Sequence, residues 1–288
     1  MSPLEKLHAH HEELIGTIKS LADRARKTPS DVSLLLSYCH EYLIPHAEGE
    51  EATFYAACDD ADFVKNLVHE HRELKQRLNV IDVAFSRGDL QAIISGIDNF
   101  MDLLGKHFED EENTLIPRLS AKLSQEEIES LIQEAHSIET GKRISDVRAL
   151  LEYDHRRIEL NISALQGAKD NEATAKSIYS KIRAQLIRHI ELEEKLLFPA
   201  FINHPASDQV GPIHAVITEH REITSYISIP VDQLDMSMLS NNLQKLSVIL
   251  AVHHRKEETV VYPLINRTLH REKREKVYKD CFEKLTKA

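Results

Sequence analysis

The stretch HIELEEKLLFPAF, His189 to Phe201, sets a histidine, two adjacent acids four residues on, and then an apolar run with a proline. On a helical period His189 and Glu193 fall on the same face as Leu186 and Leu196, the face a helix buries. The phrase recurs as HAEGEEATFYAA from His46, HFEDEENTLIPRL from His107 and HHRKEETVVYPLI from His253. One such H-x-x-x-E-E on a surface helix needs no explanation. With 17 His and 30 Glu in 288 residues, random order gives about 0.2 matches. Five occur, the fifth being His8, Glu12, Glu13.

The recurrence has a frame. The first and third phrases start 143 residues apart, the second and fourth 146 apart. LHAHHEEL from Leu7 pairs with LEYDHRRI from Leu151, and HEHREL from His69 with TEHREI from Thr218. A period of this size is that of a domain, so the chain reads as a tandem duplication. Four long helices are expected in each half: 3–26, 31–57, 61–86 and 90–118, then 144–167, 171–203, 209–228 and 233–268. The breaks KTPSD, CDDAD, SRGD, GAKDNE, NHPASDQVGP and SIPVDQ carry turn or N-cap chemistry. Pro117, Pro199 and Pro263 follow their His by ten residues and bring each phrase to its helix end. The expected fold is all-α: two tandem up-down-up-down four-helix bundles, each followed by an extra helix. Bundle one spans 1–122, a linker helix 123–142, bundle two 143–269 and a C-terminal helix 270–288.

Alternating steps of three and four residues trace the buried seam of each helix. In the first half the seams run through His11, through His46 and Glu50 to Thr53, through His71, and through His107 and Glu111 to Thr114. In the second they run through His155, through His189 and Glu193 to Leu196, through His220, and through His253 and Glu257 to Val260. Each bundle therefore turns four His and two Glu inward. Two unpaired buried carboxylates cost several kcal/mol each, and no Lys or Arg occupies these seams. A metal ion supplies the missing positive charge. Imidazole and carboxylate without thiolate suit iron, and zinc and manganese accept the same ligands. Two ions per bundle fit the sets better than one: two His for each ion, with Glu50 and Glu111, or Glu193 and Glu257, bridging them. One position on each ion then stays free for a diatomic or peroxide ligand. Glu51, Glu112, Glu194 and Glu258 flank the seam and are expected to be solvated or to hold a ligand His. His8, His10, His69, His214 and His254 flank it too and are expected at the surface or behind the ligands.

Composition narrows the partners. A net charge of −11 argues against nucleic acid and anionic membrane. Cys39, Cys58 and Cys281 form no C-x-x-C pair and read as reduced, cytoplasmic thiols. No signal peptide or 18-residue apolar run is present.

With these motifs the chain resembles the haemerythrin-like, HHE cation-binding family, as a tandem of two domains over nearly its whole length. The H-x-x-x-E-E phrases and the EHRE phrase at Glu70–Glu73 carry the resemblance. It implies one non-haem di-iron centre per bundle, the first on His11, His46, Glu50, His71, His107 and Glu111. The second would rest on His155, His189, Glu193, His220, His253 and Glu257. Oxygen-carrying members have a further His where this chain has Lys75 and Thr224, and an Asp where it has Glu112 and Glu258. The ligand count is closer to iron-centre repair proteins and to iron- and oxygen-sensing members. Two functions compete. One is binding or reaction with a small oxidant (oxygen, peroxide or nitric oxide) as sensor or detoxifier, a sensor needing a separate protein partner. The other is iron storage or donation without turnover.

Overall fold

The computed structural model describes residues 2–143, 145–168, 170–204 and 210–287. It divides into two compact units, Met1–Ile144 and Ser145–Ala288, and no strand occurs among the described residues.

The first unit contains α1 (Pro3–Lys27), α2 (Val32–Tyr38), α3 (Ile44–Ala52), α4 (Phe54–Ala57), α5 (Ala61–Arg87), α6 (Leu90–Asp110), α7 (Ile116–Ser120) and α8 (Gln125–Lys142). Its four rods are α1, α2–α4, α5 and α6–α7. The second contains α9 (Val147–Gly167), α10 (Glu172–Leu192), α11 (Phe198–Ile202), α12 (Gly211–Ile227), α13 (Met236–Lys256), α14 (Tyr262–Thr268) and α15 (Arg271–Thr286). There the rods are α9, α10–α11, α12 and α13–α14. Side-chain caps start them as the turn chemistry predicts: Asp60 accepts from the Phe63 amide, Asp89 from Ala92 and Asn171 from Thr174. Gly88, at φ 69°, closes α5 in the left-handed region. The last long rod starts at Met236 rather than 233. Val231–Gln233 form a 3-10 turn first, and the Asp235 side chain caps the helix. The expected starts at 144 and 209, and part of the break NHPASDQVGP, lie outside the described residues.

Short π-helical turns interrupt three of the rods directly at a ligand acid: Glu111–Leu115, Glu193–Leu197 and Glu257–Val261. A fourth, Cys39–Leu43, precedes His46. A π turn holds one residue more than an α turn, so it rotates everything beyond it. The seam expected to continue at Thr114, Leu196 and Val260 moves by one. Leu115, Leu197 and Val261 are buried instead, and Val260 is exposed.

Apolar layers enclose each ligand level. In the first unit Leu14, Leu43, Leu74 and Leu104 lie buried, each three residues from its rod's His, and Leu7, Phe54, Leu67, Leu115 and Leu119 cluster at the other end. Phe100 is fully buried, which contributes about 2–3 kcal/mol. The helix between the bundles, α8, belongs to the first unit and lies against α3. Gly49 allows this: a Cβ there would stand 2.9 Å from the Ala135 carbonyl oxygen. α15 packs on α9 and α10 of its own unit through Val277, Tyr278, Cys281, Phe282 and Leu285.

Candidate metal centres

In the first unit all six expected residues are buried, none more than 5% exposed. Ligand atoms of Glu50, His71, His107 and Glu111 converge within 4.8 Å of one another, as do those of His11, His46 and Glu50. Glu50 is common to both groups, with one oxygen 3.2 Å from His11 Nε2 and from His46 Nε2 and the other 3.7 Å from His71 Nε2. Glu111 stands 3.4 Å from His107 Nε2. In the second unit Glu193, His220, His253 and Glu257 form one group, and His155, His189 and Glu257 the other. Here Glu257 is shared, 3.2 Å from His155 Nε2 and from His253 Nε2. Glu193 also reaches histidines of both groups, 3.1 Å from His220 Nε2 and 3.6 Å from His189 Nε2.

A tyrosine reaches one acid of each unit. Five residues after Glu50, Tyr55 donates to Glu111 at 2.5 Å. Five residues after Glu257, Tyr262 donates to Glu193 at 2.7 Å. Each phenol restrains the acid of the facing rod. The equivalent positions without a phenol hold Phe198, stacked on His220, and Ile116.

Behind the ligands, carboxylates fix the rings. The second acids of the phrases reach across to neighbouring rods: Glu112 to His11 Nδ1 at 2.8 Å, Glu51 to His71 at 2.9 Å, Glu194 to His220 at 2.8 Å and Glu258 to His155 at 2.8 Å. Glu70 holds His107 Nδ1 and Glu219 holds His253 Nδ1, both at 3.0 Å. Asp154 holds His189 Nδ1 at 3.0 Å, and Glu139 of α8 lies 4.0 Å from His46 Nδ1. An acid on Nδ1 sets the ring so that Nε2 faces the centre. Glu70, Glu219 and Asp154 escaped the sequence reading, although each immediately precedes a seam His. Glu139, Tyr55 and Tyr262 carried no comparable signal. Of the flanking histidines, His8 and His69 are exposed, but His254 is buried, its ring 3.8 Å from and parallel to that of His155.

The electrostatics call for a cation. His46 Nε2, Glu50 Oε2, Glu111 Oε2, Glu193 Oε2, His220 Nε2, His253 Nε2 and both Glu257 oxygens are buried without a hydrogen-bond partner among the described residues. All belong to the ligand sets. Without a metal, protons take its place. Burial pulls the His11 pKa down, but hydrogen bonds to Glu112 and Glu50 raise it to about 10. Burial opposes the charge of His107 too, and the charge of Glu111 brings it to about 10. In the second unit burial and the charge of Glu193 push Glu257 up to about 8. These donors fit a metal cation in each unit.

The family pattern described as Hemerythrin HHE cation binding domain matches residues 2–119, 62–153 and 146–229. The chain belongs to the hemerythrin HHE cation-binding family. The matches end before α13, yet His253 on α13 and Glu257 just after it belong to the second unit's cluster that could hold a metal. No curated protein and no solved structure matches the chain.

Proposed function

We propose that this hemerythrin-family chain carries one non-haem di-iron centre per unit and binds, or reacts with, a small oxidant there. Oxygen, peroxide and nitric oxide are the candidates, and the protein acts as sensor or detoxifier. The carrying observation is the set of inward-facing nitrogens and oxygens without a hydrogen-bond partner among the described residues. The ligands are His11, His46, Glu50, His71, His107 and Glu111 in one unit, and His155, His189, Glu193, His220, His253 and Glu257 in the other. Bound iron supplies a redox-active Lewis acid with room for an exogenous ligand; zinc and manganese suit the same donors without explaining an oxidant response equally well.

The protein's own part is to hold, orient and exclude. The Nδ1 carboxylates keep each imidazole turned inward. In the first unit a cavity of about 10 Å³ reaches His46, Glu50, His71 and His107. Leu43, Leu74, Leu78 and Phe108 line it, with Lys75 beside them. Space for about one water-sized molecule between apolar walls favours a diatomic over any organic substrate. Tyr55 O–H, 3.1 Å from His71 Nε2, stands at the same level.

No helix among the described residues is long and apolar enough to cross a membrane. The three cysteines are free thiols, and a cytoplasmic setting, with neither nucleic acid nor membrane as partner, is part of the proposal. A sensor would act through a separate protein.

Rapid mixing of the ferrous, anaerobic protein with oxygen, peroxide or nitric oxide tests the reading. Spectral change in at least one mixture is expected. Silence in all three, with iron bound, would favour storage or donation of iron.

A further inference from the structure

The two units differ beside the second-rod histidine. In the second unit Asp154, on α9, holds His189 Nδ1 and is itself held by Arg157 at 2.5 Å. Asp154 and Arg157 are each 1% exposed, and α15 covers that side of its unit with an apolar face. In the first unit the position of Asp154 is His10 and that of Arg157 is the exposed Glu13. The carboxylate comes from α8 instead, as Glu139. Its Oε2 lies 3.3 Å from His10 Nε2 and 4.0 Å from His46 Nδ1, while Arg143 binds the other oxygen.

This exchange leaves a cavity of about 160 Å³ between α1, α3 and α8. His10, His136, Glu139, His46 and Glu50 are among the residues that line it. It has room for several waters or a partly hydrated ion. His10 is half-buried, whereas Glu139, His46 and Glu50 are buried. Ligand atoms of His10, His46 and Glu139 fall within 4.8 Å of one another. Of the fixed cations beside the cavity, Lys6 is matched by Glu129 at 2.9 Å and Arg143 pairs with Glu139. His46 Nε2 and Glu50 Oε2 are buried without hydrogen-bond partners among the described residues.

We propose that His10 and Glu139 form a relay site for a divalent cation, which captures the ion in this cavity and passes it to His46 and Glu50. The transfer is ligand exchange: an oxygen and a nitrogen donor replace bound water and are then replaced by the inner ligands, with no change of oxidation state. Glu139 also orients His46, so His10 is the discriminating residue. It reaches the inner centre indirectly, through the 3.3 Å contact of its Nε2 with Glu139, and belongs to neither inner group once the ion has moved inward. The second unit, with Asp154–Arg157 in the same place, fills by another route. The inference rests on the reading that the first unit holds metal.

Anaerobic mixing of the full metal-free chain with Co²⁺, followed by visible absorbance and end-point metal analysis, tests it. In His10→Ala about half of the absorbance change should slow about tenfold, within the range by which charged clefts speed capture. The other half, from the second unit, should keep the wild-type rate, and the final cobalt content should not change. Glu139→Gln should slow the same half and also loosen binding. Wild-type kinetics in both variants would overturn the proposal. So would a lower final content in His10→Ala, which would make His10 a permanent ligand. A wild-type first unit that takes up no cobalt would overturn the metal reading and the relay with it.

Discussion

The Tyr55 hydroxyl donates a 2.5 Å hydrogen bond to Glu111, a residue of the facing rod. In the second unit the phenol sits on the opposite rod, and Tyr262 donates to Glu193. The two clusters thus hold the same residue types, with the tyrosine-held acid on the fourth rod in one and on the second rod in the other. The phenol stands near His71 in one unit and 3.2 Å from His155 Nε2 in the other. Removing the hydroxyl leaves a buried carboxylate oxygen without its donor. Tyr55→Phe and Tyr262→Phe should each destabilise their metal-free unit by about 1.5–3 kcal/mol. Urea unfolding of the chelated protein measures it, and an unchanged midpoint would show that the phenol is not restraining the acid.

The second acid of each phrase is predicted to act on the neighbouring rod. Glu112→Gln should weaken metal binding in the first unit by about 10–100-fold and leave the second unit unaffected. Glu258→Gln should do the reverse. Competition with a chromophoric chelator resolves the two units as separate affinities. Equal weakening of both by one substitution would contradict the local role of these carboxylates.

The π turns separate fold from site. Deleting the exposed Asn113 from the turn Glu111–Leu115 removes the residue that makes it wider than an α turn. Leu115 then stands three residues from Glu111, a spacing that keeps both on the seam. The bundle should stay helical by circular dichroism, while the first unit binds metal at least about tenfold more weakly because Glu111 is re-aimed. Normal metal binding would show that the turn does not set the ligand.

Protons and metal compete for the first centre. His11 and His107 have folded pKa values raised from 6.5 to about 10. In the metal-free protein their contribution to stability is complete below pH 6.5 and is lost as the pH rises through about 10. A metal displaces these protons, so loading at neutral pH should release protons, and affinity should climb with pH over the same window. Titration calorimetry in buffers of different ionisation enthalpy reads the release. Proton-neutral binding would contradict the protonated, metal-free site.

Much of this was legible before any coordinates. Period and step spacing identified two helical bundles and placed twelve residues inward, because a buried polar residue breaks an apolar seam visibly. The rest was hidden for physical reasons. A π turn has no composition of its own, so the shift from Thr114 to Leu115 and from Val260 to Val261 could not be read. Glu139 approaches His46 from another helix, which no spacing along one helix reveals. Tyr55 and Tyr262 look like core aromatics until their hydroxyls are seen on Glu111 and Glu193. His254 reads as a flanking residue, and only packing shows it stacked on His155.

The claim at the centre of the account is that each unit holds its own pair of metal ions. Anaerobic loading with ferrous iron, removal of the excess and elemental analysis of the intact chain test it most directly. The account predicts about four ions per chain, two for each six-residue set, falling by about half when Glu50→Ala and Glu111→Ala are combined. Two or fewer ions in the fully loaded wild-type chain, or loss of all iron from that variant while it remains folded, would contradict it.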